Sequence, residues 1–304
     1  MDCSVVIVNY HSEAELAECL GSLGVHTGSG SIETIVVDNS ATLAGSGLPR
    51  RFPGARFVEN RRNVGFAGAS NQGLRLARGR HLLLLNPDTI VQEGALAALV
   101  QHLDTHPAAG AVGPRLLDPD GSLQYSCRRF PGYLTIFFGR YSFLTRLLPG
   151  NPISRRYLYL DWDHENAAEV DWVSGACLMV RREVLESVGL LDEGYFLFVE
   201  DMDWCRRIRN AGWTVEYVAH AVVKHRIGAS RGPVPAEVVW ARHRSMLRYV
   251  RKHFESPVLL EALVGAGLAV RAGFELVLNG LRRTRPVTER RRWPRPSLSS
   301  SRLS

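Results

Sequence analysis

Lysine is almost missing from this chain. Lys224 and Lys252 are the only two among 37 basic residues, so arginine supplies the other 35. The net charge of +7 suits anionic partners such as nucleotide diphosphates or lipid headgroups, without singling one out. Cysteine is sparse and shows no pattern. Cys3, Cys19, Cys127, Cys177 and Cys205 are odd in number and include no C-x-x-C pair. That argues against a disulfide framework and a cysteine zinc site, and it fits a reducing cytosol. No basic segment followed by an apolar one opens the sequence, so no secretory signal is expected. An uninterrupted apolar run of the ~20 residues needed to cross a bilayer is also lacking. The longest, Pro257 to Leu281, is broken by Glu261, Arg271 and Glu275, and it predicts an amphipathic helix rather than a span. Finally, neither G-x-G-x-x-G nor a Gly-Lys-Ser/Thr loop occurs, which excludes the usual dinucleotide and P-loop phosphate sites.

What is present is a pattern of short apolar runs. The 304 residues, 45% of them hydrophobic, suffice for a core in one large domain or two small ones. Cys3 to Asn9, Ile32 to Val37, Arg56 to Val58 and His81 to Leu85 read as strands. Glu13 to Leu23, Asn71 to Ala77 and Glu93 to His102 carry helical spacing between them. This alternation predicts an α/β fold, a Rossmann-like and mostly parallel sheet with helices on both faces. Functional groups of such sheets gather at the carboxyl ends of the strands. Asn9-Tyr10, Asp38 and Asn86-Pro87-Asp88 each follow an apolar run directly, so they are expected along one edge.

The second half is less regular. Residues 128–160 are rich in aromatics and arginine, with Pro131, Pro149 and Pro152, and read as an inserted loop or short helices. Val170 to Val180 reads as a strand through a small-residue turn at Ser174-Gly175-Ala176. Helices are expected at Arg181 to Val188, Asp201 to Ala211 and Trp240 to Phe254, and a strand at Thr214 to Ala219. The organisation expected is a catalytic domain over 1–255, amphipathic helix over 256–281, and a disordered basic tail over 282–304.

Five motifs carry chemistry. Asp38 follows Ile35-Val36-Val37; a carboxylate there can accept the ring N–H of uracil or thymine, or it can simply cap a turn before Asn-Ser. Asn86-Pro87-Asp88-Thr89 brings an acid to a strand end, where a hard divalent cation would want carboxylate beside phosphate oxygens; the same text is also strong turn chemistry. Phe196 to Trp204 places Glu200, Asp201 and Asp203 at a helix start, which favours anions. A positioned carboxylate there can take a proton from an attacking hydroxyl. His225, within Lys224 to Ser230, can ligate a transition-type ion as neutral imidazole. The small residues of Asn63 to Gly73 allow close backbone approach.

In order and spacing these motifs resemble the family-2 type of inverting glycosyltransferase with the GT-A fold, over roughly residues 3–250. The matching text is Ser4 to Tyr10, Val36 to Ser40, Asn63 to Gly73, Asn86-Pro87-Asp88, Trp172 to Ala176, Glu200-Asp201-x-Asp203 and His225. In style it is similar to the bacterial rhamnosyltransferases of cell-wall and O-antigen assembly, through Val170 to Cys177 and Val188 to Glu193. One branch of these adds rhamnose to polyprenyl-diphosphate-linked N-acetylglucosamine.

The resemblance implies roles. Asn9, Tyr10 and Asp38, with Asn63 and Gly65, would hold the nucleotide. Asp88 would be the main ligand of Mg2+ or Mn2+, with His225 completing the site and Asn86 standing where many relatives carry Asp. Asp201 would be the catalytic base. Trp172, Ser174, Gly175, Glu200, Asp203 and Trp204 would lie near the acceptor or the sugar. The implied partners are a nucleoside-diphosphate sugar, best read as dTDP-rhamnose with other UDP-, dTDP- or GDP-sugars as the alternative, and a glycan or polyprenyl-linked acceptor. A homo-oligomer is compatible with this.

Two segments bear on location. Tyr133 to Leu148 carries Phe137, Phe138, Tyr141, Phe143, Leu147 and Leu148 with Arg140 and Arg146, and the apolar stretch to Leu281 is followed by Arg282-Arg283 and Arg290-Arg291-Arg292-Trp293. Apolar faces beside arginines suit an anionic membrane surface, so the expected location is cytoplasmic, peripheral on the inner face of the plasma membrane. No nucleic acid is expected, because the basic tail offers only Trp293 for stacking and no binding motif. A non-catalytic scaffold remains the contrasting class, since fold alone never proves activity.

Overall fold

The computed structural model describes residues 1–24, 31–137, 151–226 and 234–283. Outside them lie Phe138, Arg140, Tyr141, Phe143, Arg146, Leu147, Leu148, the loop from Ile227 to Ser230, and the tail with Arg290 to Trp293.

In chain order the strands are β1 (Cys3–Asn9), β2 (Ile32–Asp38), β3 (Ala55–Glu59), β4 (His81–Leu85), β5 (Thr89–Val91), β6 (Ala109–Leu117), β7 (Cys127–Arg128), β8 (Ala168–Glu169), β9 (Trp172–Val173), β10 (Cys177–Arg181) and β11 (Thr214–His225). The helices are α1 (Glu13–Gly24), α2 (Leu43–Ser46), α3 (Leu48–Arg51), α4 (Phe66–Leu76), α5 (Ala95–Thr105), α6 (Tyr133–Phe137), α7 (Pro152–Tyr157), α8 (Arg182–Val188), α9 (Glu200–Asn210), α10 (Ala236–His253) and α11 (Val258–Arg283).

Every residue of β1 and β4 is buried, as a central strand covered on both faces requires. Side chains alternate across a strand, and here they sort into two cores. Val6, Val8, Ile35, Val37, Leu82 and Leu84 face Leu74 of α4 and Met202, Trp204 and Ile208 of α9. Val5, Ile7, Val36, Leu83 and Leu85 face Leu16 and Leu20 of α1 and Leu96 and Leu99 of α5. Gly73 lets α4 settle onto the sheet, since a Cβ there would sit 2.3 Å from Cγ1 of Val6.

The main sheet runs β3-β2-β1-β4-β10-β6-β11-β5, with β8 also on β11. β3, β2, β1 and β4 are parallel, as expected. The other half is mixed. β10 runs antiparallel to both β4 and β6, β11 is parallel to β6, and β5 and β8 are antiparallel to β11. The second half therefore folds back onto the first, and this carries the start of β10 and the end of β11 to the edge where β1, β2 and β4 end. α10 and α11 pack on each other, with Val250, Val264 and Leu268 around Ile136. No described helix is long and apolar enough to cross a membrane.

Candidate active site

Asn9 and Asp38 sit side by side at the ends of β1 and β2. The Asp38 carboxylate is buried, 1% exposed, and fully engaged. Its Oδ1 accepts from Asn9 Nδ2 at 3.1 Å and from the Ser40 N–H and hydroxyl at 3.1 and 2.7 Å. Its Oδ2 accepts from the N–H groups of Thr42 and Leu43 at 2.7 and 2.8 Å. Burial opposes the charge, but the Ser40 hydroxyl and these backbone donors outweigh it and hold the carboxyl below the ordinary aspartate range. Asp38 thus caps the turn into α2. Asn9 is itself buried and accepts from Ser12. Tyr10, 53% exposed, is the ring this edge presents to solvent.

Asn39, which the motif text contained but the sequence assigned no task, ties the next loop. Its amide nitrogen donates to Asn63 Oδ1 at 2.7 Å and to the Gly65 carbonyl at 3.2 Å, and its oxygen accepts from Asn60 and from the Val64 N–H. Gly65 has φ +83, and a Cβ there would lie 2.7 Å from the Phe196 carbonyl. That carbonyl accepts from the Phe66 N–H at 2.7 Å, so the Asn63–Gly65 loop abuts the segment leading into α9.

Asp88 follows β4 in the Asn86-Pro87-Asp88 turn, and β5 begins at once. β5 pairs with the end of β11 so that Thr89 lies opposite His225. The Arg226 N–H closes the pairing on the Asp88 carbonyl at 2.9 Å. His225 Nε2 consequently stands 3.3 Å from Asp88 Oδ1. Among the described residues no third His, Cys, Asp or Glu joins them as a metal cluster. Lys224 and Arg226 line the same cleft as Asp88, about 430 Å³ in volume.

Asp201 opens α9. Phe198 and Val199 before it both adopt left-handed φ, 66° and 74°, which for a β-branched valine is a strained conformation of the kind concentrated at functional sites. The chain turns there into α9, and Asp201 meets the 174–176 turn. Asp201 Oδ2 accepts the Gly175 N–H at 2.8 Å, and Oδ1 accepts the Met202 N–H at 2.8 Å. One residue further, the Ala176 carbonyl accepts the Asn86 N–H at 2.9 Å. A single turn between β9 and β10 therefore joins the strand end that carries Asp88 to the carboxylate of Asp201.

Glu200 and Asp201 are a buried like-charged pair. Burial raises both carboxyls, Glu200 the more because the Asp201 charge adds to it. Glu200 Oε2 has no hydrogen-bond partner, whereas the Gly175 and Met202 N–H groups and the nearby Arg128 support charge on Asp201. The negative charge of the pair belongs on Asp201.

Other expected site residues are placed elsewhere. Asp203 is fully buried and meets Arg207 at 2.9 Å, Lys252 at 2.9 Å and His253 at 2.7 Å, with the Tyr195 hydroxyl at 3.2 Å; it bolts α9 to α10. Trp204 is also buried, its indole N–H donating to the Gly189 carbonyl. Trp172 donates to the Arg129 carbonyl, and the Arg128 guanidinium stands over its ring at 4.9 Å. Ser174 accepts the Ala176 N–H and braces the turn. Beside Arg128 opens a cleft of about 560 Å³ whose lining includes Arg129, Arg156, Tyr133, Tyr157 and Asp171. Arg128 interacts electrostatically with Tyr157, which lines this cleft, and with Asp201.

The glycosyltransferase-like family 2 model matches residues 2–252. The chain is 32% identical over 256 residues to the N-acetylglucosaminyl-diphospho-decaprenol L-rhamnosyltransferase of Mycobacterium tuberculosis, covering 79% of this chain and 81% of that one. It is 27% identical over 228 residues to the rhamnosyltransferase WbbL of Escherichia coli K12, 72% of this chain and 81% of the relative. Among solved structures, the mannosyltransferase PcManGT of Pyrobaculum calidifontis, in complex with GDP-Man and Mn2+, superposes with TM-score 0.57 at 18% identity, over 92% of this chain and 73% of that one. At that identity the likeness shows the shared GT-A fold.

Proposed function

The chain belongs to glycosyltransferase-like family 2, and from this premise we propose an inverting transfer of L-rhamnose from dTDP-rhamnose to a polyprenyl-diphosphate-linked sugar. As a family-2 glycosyltransferase with rhamnosyltransferase relatives, it acts in the building of cell-wall or surface polysaccharide. The observation that carries the mechanism is the 174–176 turn, which brings the Asp88–His225 pair and Asp201 to one edge.

Asp201 takes the proton of the acceptor hydroxyl as that oxygen attacks the anomeric carbon from the face opposite the departing diphosphate. Inverting glycosidases use the same geometry with water as nucleophile. The two backbone N–H groups fix the carboxylate in direction, as a positioned general base requires. Burial and the Asp201 charge raise the Glu200 carboxyl beside it, which disfavours a second charge there. Asp88 Oδ1 and His225 Nε2, one oxygen and one imidazole nitrogen 3.3 Å apart, fit a divalent ion such as Mn2+ or Mg2+, with Asn86 adjoining. Such an ion, when bound, offsets charge on the leaving diphosphate. Lys224 and Arg226 lie beside Asp88 for the phosphates. Tyr10 offers its ring to the base.

The acceptor's diphosphate suits the cleft with Arg129 and Arg156, and its lipid suits α11. That helix is amphipathic in an unusual sense. Leu259, Leu263, Val270, Phe274 and Val277 point outward, with exposed Ala262, Ala266 and Ala269 between them. Its charges are turned inward: Arg271 donates to the Ile136 carbonyl, and Glu275 and Glu261 face Arg242 and Arg251. An apolar outer stripe followed in sequence by Arg282-Arg283 suits an interfacial helix on an anionic bilayer.

A panel of dTDP-rhamnose, UDP-sugars and GDP-sugars, scored by thermal shift with Mn2+, tests the donor. The proposal expects the largest stabilisation from dTDP-rhamnose, followed by radiolabelled transfer to a polyprenyl-diphosphate-linked N-acetylglucosamine. Stabilisation and turnover by a UDP- or GDP-sugar alone would reassign the donor within the family.

A further inference from the structure

Gln124 has no place in the chemistry above, yet it grips His225 at two points. β6 ends at Leu117, and the chain reverses through Asp118-Pro119-Asp120-Gly121, where Gly121 takes φ +83 and its N–H meets the Asp118 carbonyl at 2.8 Å. The returning segment bridges Leu123 to Leu117, and the Gln124 N–H donates to the Leu116 carbonyl at 2.9 Å. Because β6 lies parallel to β11 with Leu117 opposite Lys224, this return tucks Gln124 against His225. The glutamine is buried, 3% exposed.

The amide can point only one way. Its Nε2 donates to Asp118 Oδ1 at 2.7 Å and to the backbone carbonyl of His225 at 2.5 Å. Reversal would set the amide oxygen against a carboxylate and a carbonyl. The oxygen Oε1 therefore faces Nδ1 of the His225 ring at 3.0 Å. An amide oxygen only accepts, so Nδ1 carries the hydrogen. In neutral imidazole the lone pair is then on Nε2, the nitrogen 3.3 Å from Asp88 Oδ1. Two electron-rich atoms aimed at one point are what a cation satisfies.

We propose that Gln124 is a positioning residue that holds His225 in the Nδ1–H tautomer and so offers the Nε2 lone pair to a divalent ion. It acts through His225 and touches neither sugar. Metal-bound histidines as a rule donate their second N–H to an oxygen acceptor, and losing that acceptor costs 10–100-fold in metal affinity. The inference rests on the assignment of Asp88 and His225 as metal ligands.

The test reads the ring and the metal separately. Long-range 1H–15N correlation spectra of the metal-free wild-type protein above the histidine titration should show His225 protonated on Nδ1 and bare on Nε2; a dominant Nε2–H form overturns the proposal. Mn2+ binding is then measured by electron paramagnetic resonance with dTDP present, in wild type, Gln124→Met, Asp88→Ala and His225→Ala. Gln124→Met keeps the length and volume and removes both hydrogen-bonding ends. The proposal expects its Mn2+ dissociation constant to rise about 10–100-fold, with the His225 spectrum moving toward Nε2–H. Wild-type affinity in Gln124→Met, beside lost affinity in the two ligand variants, overturns the inference alone. Wild-type affinity in Asp88→Ala and His225→Ala as well overturns the metal assignment and this inference together. If Gln124→Met does not fold, the wild-type spectrum decides.

Discussion

Gly175 and Asp201 meet with almost no slack: the glycine N–H donates to Oδ2 at 2.8 Å, and a Cβ on the glycine would stand 3.2 Å from the aspartate Cβ and 3.4 Å from that same oxygen. The contact both holds the carboxylate and limits which residue can hold it. Gly175 is outside the left-handed region, so alanine suits its backbone, but the new methyl must push the carboxylate by a few tenths of an ångström. Misplacement of a reacting group by 1 Å can cost ~10²-fold. Gly175→Ala is therefore expected to lower kcat about 10-fold with unchanged donor affinity and thermal stability. Steady-state kinetics with a melting curve check this; a wild-type kcat would show that the turn does not position the base.

Removing the base itself has a larger effect. Asp201→Asn keeps the side-chain shape and one of the two backbone hydrogen bonds while abolishing proton uptake. General-base help is worth ~10²–10⁴-fold, so kcat should fall by at least ~10² while the donor still binds. Turnover at the wild-type rate would remove Asp201 from the role.

The pH dependence has a definite sign. Burial raises the Asp201 carboxyl above its unfolded value, so the ionised base is lost at a higher pH than for an exposed aspartate. The acid limb of the kcat profile should lie above ~3.9, the ordinary aspartate value. By the same linkage the burial of Asp201 and Glu200 favours the fold at low pH and weakens it as pH rises through their raised values. An acid limb at or below the ordinary value, from rates measured between pH 4 and 8, would contradict the assignment.

Asp203 titrates the other way. Burial opposes its charge, but His253, Lys252 and Arg207 more than compensate and hold its carboxyl far below the usual range. Its folded value lies below its unfolded one, so it stabilises the fold above the ordinary aspartate range and loses that contribution as pH falls toward the depressed value. Asp203→Asn leaves the Arg207 and Lys252 cations facing a neutral amide. Breaking a buried pair in this way costs about 3–5 kcal/mol, which urea unfolding at pH 7 should register, with a smaller difference from wild type near pH 3. Equal stability at pH 7 would show that the α9–α10 junction does not depend on this carboxylate.

The outward stripe of α11 makes a separate prediction. Leu263→Gln with Val270→Gln changes side chains that are 61% and 73% exposed, so the melting temperature should stay put. Flotation with phosphatidylglycerol vesicles should fall several-fold relative to wild type. Flotation equal to wild type would assign the stripe to something other than lipid.

Much of the first half was legible because its two central strands, β1 and β4, are uniformly buried. β1 and β4 have the bounds of their apolar runs, and every position in them is buried. β6 escaped notice. Its Gly110, Gly113 and Pro114 hide a strand, and the reason is tertiary: a Cβ at Gly110 would lie 2.6 Å from Trp213 Cβ, and one at Gly113 2.7 Å from Val173 Cβ. For a similar reason α4 begins at Phe66 rather than Asn71, since its Gly73 serves packing on Val6 and Gly65 just before it abuts Phe196. The mixed half of the sheet depends on pairings between distant segments, which no local period encodes. The acids fared unevenly. Motif order singled out Asp88, His225 and Asp201, of which the first two stand 3.3 Å apart and the third bonds the Gly175 N–H. The bonds to Asp38 from Thr42 and to Asp203 from Lys252, by contrast, come from donors no motif named. Gln124 carries no motif of its own; only the β6 return places it beneath His225.

The most direct test of the shared edge is calorimetric titration of dTDP-rhamnose into wild type, Asp88→Ala and Asp201→Asn, each with and without Mn2+. The account predicts that Mn2+ strengthens donor binding in wild type and in Asp201→Asn, and that Asp88→Ala loses this metal-dependent gain. Donor affinity in Asp88→Ala equal to wild type under both conditions would contradict it.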